Sequence, residues 1–190
     1  MTERCGWAGS EKIYADYHDD EWGVPEYDSR ALWEKLILDG FQAGLSWITI
    51  LKKRDNFREA FQGFDPDVIA RWGEGDVLRL LQNPGIIRHR GKIEATITNA
   101  IAWQKIEAEI GFDKYLWNYV DGSPLQNRFA TLDEVPAKTK ISEDISKDLK
   151  KRGFKFCGPT IVYAFMQACG LVNDHLLTCP CREKVARLAR

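Results

Sequence analysis

The sequence predicts an all-α fold, and three observations carry that expectation. Apolar residues recur at helical spacing through much of the chain, as in Leu32, Leu36 and Phe41, or Ile145 and Leu149. Helix punctuation falls between these runs. Asp65-Pro66 and Gly158-Pro159 suit helix starts, and Gly63, Asn83-Pro84-Gly85 and Gly111 suit ends. No run supports several alternating strands, and no internal repeat is visible. With 190 residues, 44% of them hydrophobic, the chain fits one compact domain over 1–190, or two small helical lobes sharing a core with a pocket between them.

Taken in order, YDSRALWEKLILDGFQAG from Tyr27 opens with Asp28 and Ser29 as candidate caps. LSWITILKKRDNFREAFQGF continues the helical pattern from Leu45 and stops at Gly63. DPDVIARWG starts on Asp65 as N-cap, with Pro66 at the first helical position. GDVLRLLQNPG reads as a short helix from Asp76. RHRGKIEATITNAIAWQKIEAEIG reads as one longer helix to Gly111, and FDKYLWNYVDGSP as another short one. Between Gly111 and Ser142 the chain is looser, a linker, lid or plain surface connection. ISEDISKDLKKRG then takes Ser142 as its cap, and PTIVYAFMQACG suits a deeply buried helix.

Composition narrows the function classes. No stretch approaches the roughly 18 apolar residues of a membrane span, and MTERCGW carries no apolar signal segment. A cytoplasmic location is the expectation, and there five cysteines suit buried thiols or metal ligands better than a disulfide framework. The formal net charge of -1 gives no global case for nucleic acid, but charge can be local.

Two turns are locally basic. In DLKKRGFKFCGPTIVYAF one helix stops at Gly153 and another opens at Gly158, a helix-hairpin-helix arrangement over 142–170 that is a candidate DNA-binding element. Unpaired N–H groups at such a turn suit a phosphate. Lys147, Lys150, Lys151, Arg152 and Lys155 surround it. GIIRHRGK, from Gly85, adds Arg88, His89, Arg90 and Lys92. An ordinary helix contact with a solvated basic face fits the same pattern. A third feature is VNDHLLTCPC, where His175 precedes Cys179 by one helical turn. On a helix both would point to one side. Imidazole and thiolate are both zinc ligands, but two ligands do not close a site, and core packing remains open.

Six segments together resemble the 3-methyladenine DNA glycosylase I family, within the helix-hairpin-helix glycosylase superfamily. They are RCGWAGS, YADYHDDEWGVP, GFQAGLSWITILKKR, GIIRHRGKI, KKRGFKF with GPT, and FMQACGLVNDH. The resemblance implies a helix-hairpin-helix glycosylase-like fold whose zinc site joins the N- and C-terminal segments. It implies one structural Zn2+ per chain on Cys5, His18, His175 and Cys179, with Cys181 the rival fourth ligand. Glu21 is a candidate to orient a ligand histidine. Cys157 and Cys169 read as buried thiols.

For the pocket the resemblance supplies Tyr14, Tyr17 and Trp47 as aromatic walls and Asp39 as the carboxylate, where the family usually shows glutamate. Trp7 and Trp22 are ambiguous between pocket and core. The DNA backbone would meet Gly153, Lys155, Gly158, Thr160, Lys151, Arg152 and Arg88. The implied activity is monofunctional hydrolysis of the N-glycosidic bond of 3-methyladenine in double-stranded DNA, by a monomer. Pro159 and Thr160 follow Gly158, where strand-cleaving members carry a lysine. Asp174 is not expected to act as a base. The rival readings are a DNA-binding helical module without catalysis, a zinc-stabilised scaffold for another protein, and a related glycosylase of altered base preference.

Overall fold

The computed structural model describes residues 3–189. Its helices are α1 (Lys12–Asp20), α2 (Ser29–Gln42), α3 (Trp47–Leu51), α4 (Arg54–Ala60), α5 (Pro66–Ile69), α6 (Glu74–Leu81), α7 (Arg90–Glu109), α8 (Phe112–Trp117), α9 (Lys140–Lys151), α10 (Pro159–Ala168) and α11 (Cys181–Ala186). Short 3-10 turns punctuate them. The sheet among the described residues is a two-residue parallel pair, β1 (Leu125–Gln126) beside β2 (Val172–Asn173).

α2 is the central strut, packed by α10, α7, α8 and α3. Asp28 starts it by accepting from the N–H groups of Arg30 and Ala31. Leu32, Trp33, Leu36 and Phe41 are all essentially buried, joining Phe57, Phe61, Ile93, Ile106, Leu149 and Phe165 in one core. Lys92 fixes the other end of α2. Its buried ammonium donates to the carbonyls of Phe41 (2.8 Å) and Ala43 (2.7 Å), the orphan acceptors at a helix C-terminus. That clamp sets where Asp39 and Gln42 stand.

Several expected boundaries shift for local reasons. The single helix expected from Leu45 is two, α3 and α4, divided at Lys52 and Lys53, before a 3-10 turn at Gln62–Phe64. α6 begins at Glu74, because Asp76 accepts from the N–H of Gly73 and so sits inside the helix. Thr139, not Ser142, caps α9. Ser142 is the reciprocal partner, accepting from the N–H of Thr139. The expected starts at Asp65-Pro66 and Gly158-Pro159 hold. The segment holding His175 and Cys179 is not helical. β2 pairing extends it, and a turn then closes with the N–H of Cys179 on the carbonyl of Leu176 (2.9 Å).

Candidate active site and metal centre

A cleft of about 210 Å³ opens among α1, α2, α3 and α10. Trp7, Tyr14, Tyr17, Trp22 and Trp47 wall it. Tyr14 and Tyr17 share the face of α1 that their spacing predicts. Trp7 lies 5.1 Å from Tyr14 and 4.9 Å from Trp22 by ring centroid, and Tyr17 lies 5.4 Å from Trp47. Trp7 and Trp22, ambiguous in the sequence, thus belong to the wall.

Asp39 also lines the cleft, at 4% exposure. Two buried polar atoms here have no hydrogen-bond partner among the described residues: Asp39 Oδ2, an acceptor, and Trp47 Nε1, a donor. Polar atoms left without a protein partner at a cavity wall can bond to whatever fills the cavity. Burial pushes the Asp39 carboxyl up to about 8, with Lys35 pulling the other way. Burial also drives the Tyr17 phenol well above its ordinary range, so it stays a neutral hydroxyl.

Asp174 is a contrasting carboxylate. Its Oδ1 accepts from Asn127 (2.7 Å), and its Oδ2 from Tyr163 (2.6 Å) and Gln167 (2.8 Å). Three donors hold it as part of the wall. Sequence reasoning did not assign six other lining residues to the site, among them Ala164 and Ala168 of α10, which it read only as a buried helix. Gln42 stands one turn after Asp39 on α2, a spacing that could have marked it, and Gln167 is on α10. Leu132 and Val135 come from the irregular segment before α9, so that segment borders the site.

Beside the cleft, Cys5, His18, His175 and Cys179 are all buried and their ligand atoms lie within 4.8 Å of one another. His175 Nδ1 lies 3.8 Å from Cys5 Sγ and 3.6 Å from Cys179 Sγ, and His18 Nε2 lies 3.7 Å from Cys179 Sγ. The opposite ring nitrogens are committed elsewhere. His175 Nε2 is 3.1 Å from the carbonyl of Trp22, and His18 Nδ1 is 2.7 Å from Asp19 Oδ1. Each histidine is thereby oriented with a lone pair toward the sulfurs. Asp19, held well below the usual carboxylate range chiefly by Arg4, does what was expected of Glu21. Glu21 instead pairs with Arg54. The Cys179 thiol is held low chiefly by a hydrogen bond from Cys5. Cys181 lies behind His18, 3.7 Å from Asp19 Oδ1, and is not among the four. Two imidazoles and two thiols form a closed donor set that can hold a metal ion. Gly23 permits the approach: its φ is +82°, and a Cβ there would meet His175 Nε2 at 2.9 Å.

On another face, α9 and α10 pack together around a turn that starts at Gly153, φ +102°. Asn99 clamps it, accepting from the N–H of Lys155 (2.8 Å) and donating to that residue's carbonyl (3.0 Å). Lys151, Lys155 and Thr160 are exposed around Gly158, and the lysines have no ion-pair partner among the described residues. Arg152 differs from the expectation. It donates to Asp148 (2.8 Å) and Glu109 (2.9 Å) and lies over the Tyr115 ring. In the second basic turn, Arg90 pairs with Glu74 and Glu94, and Lys92 is the buried clamp of α2. Arg88 is exposed with no ion-pair partner among the described residues, and the exposed His89 caps α7 by accepting from the N–H of Lys92 (3.1 Å).

Comparisons with known proteins agree with this architecture. The family model described as methyladenine glycosylase matches residues 7–183. DNA-3-methyladenine glycosylase 1 of Escherichia coli K12 is 54% identical over 180 residues, covering 94% of this chain and 96% of that protein. A crystal structure of 3-methyladenine DNA glycosylase I superposes with a TM-score of 0.93 at 57% identity, covering 94% of this chain and 99% of that one. A 3-methyladenine DNA glycosylase I variant in complex with 3-methyladenine superposes with a TM-score of 0.92 at 40% identity, covering 94% and 97%. With most of its length matched at this identity, the chain belongs to the methyladenine glycosylase family.

Proposed function

We propose that the protein is a monofunctional DNA glycosylase that hydrolyses the N-glycosidic bond of 3-methyladenine in alkylated duplex DNA. The observation that carries this reading is the aromatic cleft with an unpartnered Asp39 oxygen and an unpartnered Trp47 N–H on its wall. A base inside a duplex must be flipped out to be cut, and it then needs a pocket of aromatic faces and polar edges. Methylation at N3 gives adenine a positive charge. A cation gains from the ring faces of Trp47, Tyr14 and Tyr17, each such contact contributing about 0.5–2 kcal/mol. It also gains from Asp39, whose ionisation its charge favours. Neutral adenine offers neither gain, so the cleft selects the lesion.

Cleavage of an N3-methylated adenosine releases a neutral base, so the leaving group needs little acid catalysis. Our assignment is attack by water at the sugar C1' position, with the cleft contacts strengthening toward the transition state. Asp174 already accepts from three donors, which argues against its service as a general base. Pro159 and Thr160 follow Gly158, so no lysine stands at the position where strand-cleaving members carry their Schiff-base amine.

Zinc is our assignment for the Cys5, His18, His175 and Cys179 site. A tetrahedral zinc with bonds of about 2.3 Å to sulfur and about 2.0 Å to nitrogen sets neighbouring S and N atoms roughly 3.6 Å apart, and 3.6–3.8 Å separates the recorded pairs. Four protein ligands leave no position for water, so the ion would stabilise the closure of the two chain segments rather than take part in hydrolysis. The hairpin from Gly153 to Gly158, with Lys151, Lys155 and Thr160, is the proposed DNA-backbone contact, and Arg88 extends it. Arg152 contributes to the hairpin's own stability. One chain per lesion suffices for this geometry, so we assign a monomer.

The test is base release. Purified protein is incubated with methylated duplex DNA, and the freed bases are identified by chromatography. Release of 3-methyladenine without strand breaks before heat or alkali is expected. No release from folded, zinc-loaded protein refutes the assignment.

A further inference from the structure

Behind Asp39 lies a second cavity of about 210 Å³, and Tyr17, Asp39, Trp47 and Ala168 partition it from the cleft. Charged side chains reach it from each packed element: Asp20 at the end of α1, Glu21 and Glu26 of the following segment, Glu34 and Lys35 of α2, Arg54 and Arg58 of α4. Almost all of them are satisfied. Glu21 pairs with Arg54, and Glu34 accepts from Arg58 at 2.7 Å. Asp20 accepts from Lys184 at 3.2 Å, and Glu26 accepts from the N–H groups of Tyr27 and Asp28. The buried Cys169 thiol near Lys35 is pushed up by its surroundings and stays neutral. Two charges are left over among the described residues. One is Asp39, with Oδ2 unpartnered. The other is Lys35, whose ammonium donates to the carbonyl of Ala168 at 3.3 Å and has no carboxylate partner. They stand four residues apart on one face of α2.

We propose that Lys35 is a positioning residue for base recognition, its ammonium serving the Asp39 carboxyl through water in the rear cavity. This rests on the reading that Asp39 meets the damaged base. To meet a cation well, Asp39 must be an anion, and burial opposes that. Lys35 is the uncommitted cation that opposes burial. After the bond to Ala168 its ammonium keeps two further N–H donors, and the cavity has room for the water that would carry one of them. Acting from behind, Lys35 leaves the base-facing lone pairs of Asp39 free.

The experiment measures kcat/KM for 3-methyladenine release from methylated duplex DNA between about pH 5.5 and 9.5. The methylated base carries a fixed charge, so the acid limb reports the protein's groups. The proteins compared are wild type, Lys35→Met, Lys35→Arg and Asp39→Asn. Lys35→Met should move the acid limb upward by about half a pH unit or more, lowering the rate near pH 7 about threefold and sparing it above the limb. Lys35→Arg should restore the wild-type profile. An unmoved limb in Lys35→Met, with or without lost thermal stability, overturns the role of Lys35 while Asp39→Asn still abolishes the limb. A limb that persists in Asp39→Asn overturns the reading of Asp39 and the proposal with it. Should Lys35→Met fail to fold, Lys35→Gln takes its place under the same readout.

Discussion

Replacing Asp39 with asparagine should weaken activity and strengthen the fold at once. The carboxyl is buried and sits at about 8 against an ordinary 3.8. Between those values the folded state keeps a proton that the unfolded state has lost. Stability from this group is therefore complete below about pH 4 and is lost as pH rises toward 8. At pH 7 the loss is on the order of 4 kcal/mol, and asparagine, isosteric with the neutral acid, removes it. For a domain of this size that corresponds to a rise of roughly 10 °C in Tm at pH 7, shrinking to almost nothing near pH 4. The same change deletes a charged contact to the cationic base, worth roughly 1.5–3 kcal/mol, so kcat/KM should fall about 10- to 150-fold. Thermal melts across pH, paired with base-release kinetics, make the test. Equal melting temperatures for both proteins at pH 4 and pH 7 would refute the buried-acid argument. Unchanged kcat/KM would remove Asp39 from base recognition.

Trp47→Phe keeps an aromatic face and loses the orphaned N–H, so base release should slow about fivefold to tenfold while melting temperature holds, and no slowing would mean that the N–H does not meet the base. Cys5→Ser opens the Cys/His centre. Bound metal, measured by atomic spectroscopy, should be lost and the melting temperature should drop by several degrees, and retention of a full metal equivalent would contradict the ligand set. Lys155→Ala should weaken damaged and undamaged DNA alike and reduce the salt slope by about one. Arg152→Ala should instead lower stability through its contacts to Asp148, Glu109 and Tyr115, and a loss of DNA affinity at unchanged stability would return Arg152 to the interface.

What the sequence made legible was local. Asp28, Asp65, Pro66 and Pro159 fix helix starts through their own backbone chemistry, so each could be placed from type and spacing. The divide between α3 and α4 was hidden because the apolar pattern continues across Lys52 and Lys53. Thr139 and Ser142 exchange roles because either can cap, and the irregular segment preceding them decides which does. His175 and Cys179 were found through a helical spacing, yet it is the pairing of β2 with β1 and a turn that bring them together. Asp19 could not be preferred to Glu21 without knowing which His18 nitrogen faces the sulfurs. Leu132 and Val135 carry no periodic signal and reach the cleft by tertiary packing alone. The Asp39 carboxylate was expected, but the cavity behind it belongs to no sequence pattern.

The Cys/His centre and the cleft share a wall. The His175 ring stands perpendicular to Trp22 at 4.7 Å, Trp7 contacts His18 at 5.2 Å, and Asp174 adjoins His175. Cys5 and His175 are 170 positions apart. During synthesis on the ribosome, therefore, Trp7, Tyr14, Tyr17 and Trp22 emerge early and can meet one another, while the contact of Trp22 with His175 waits for the last part of the chain. The aromatic wall is complete on its Cys/His side only when both chain segments are in place.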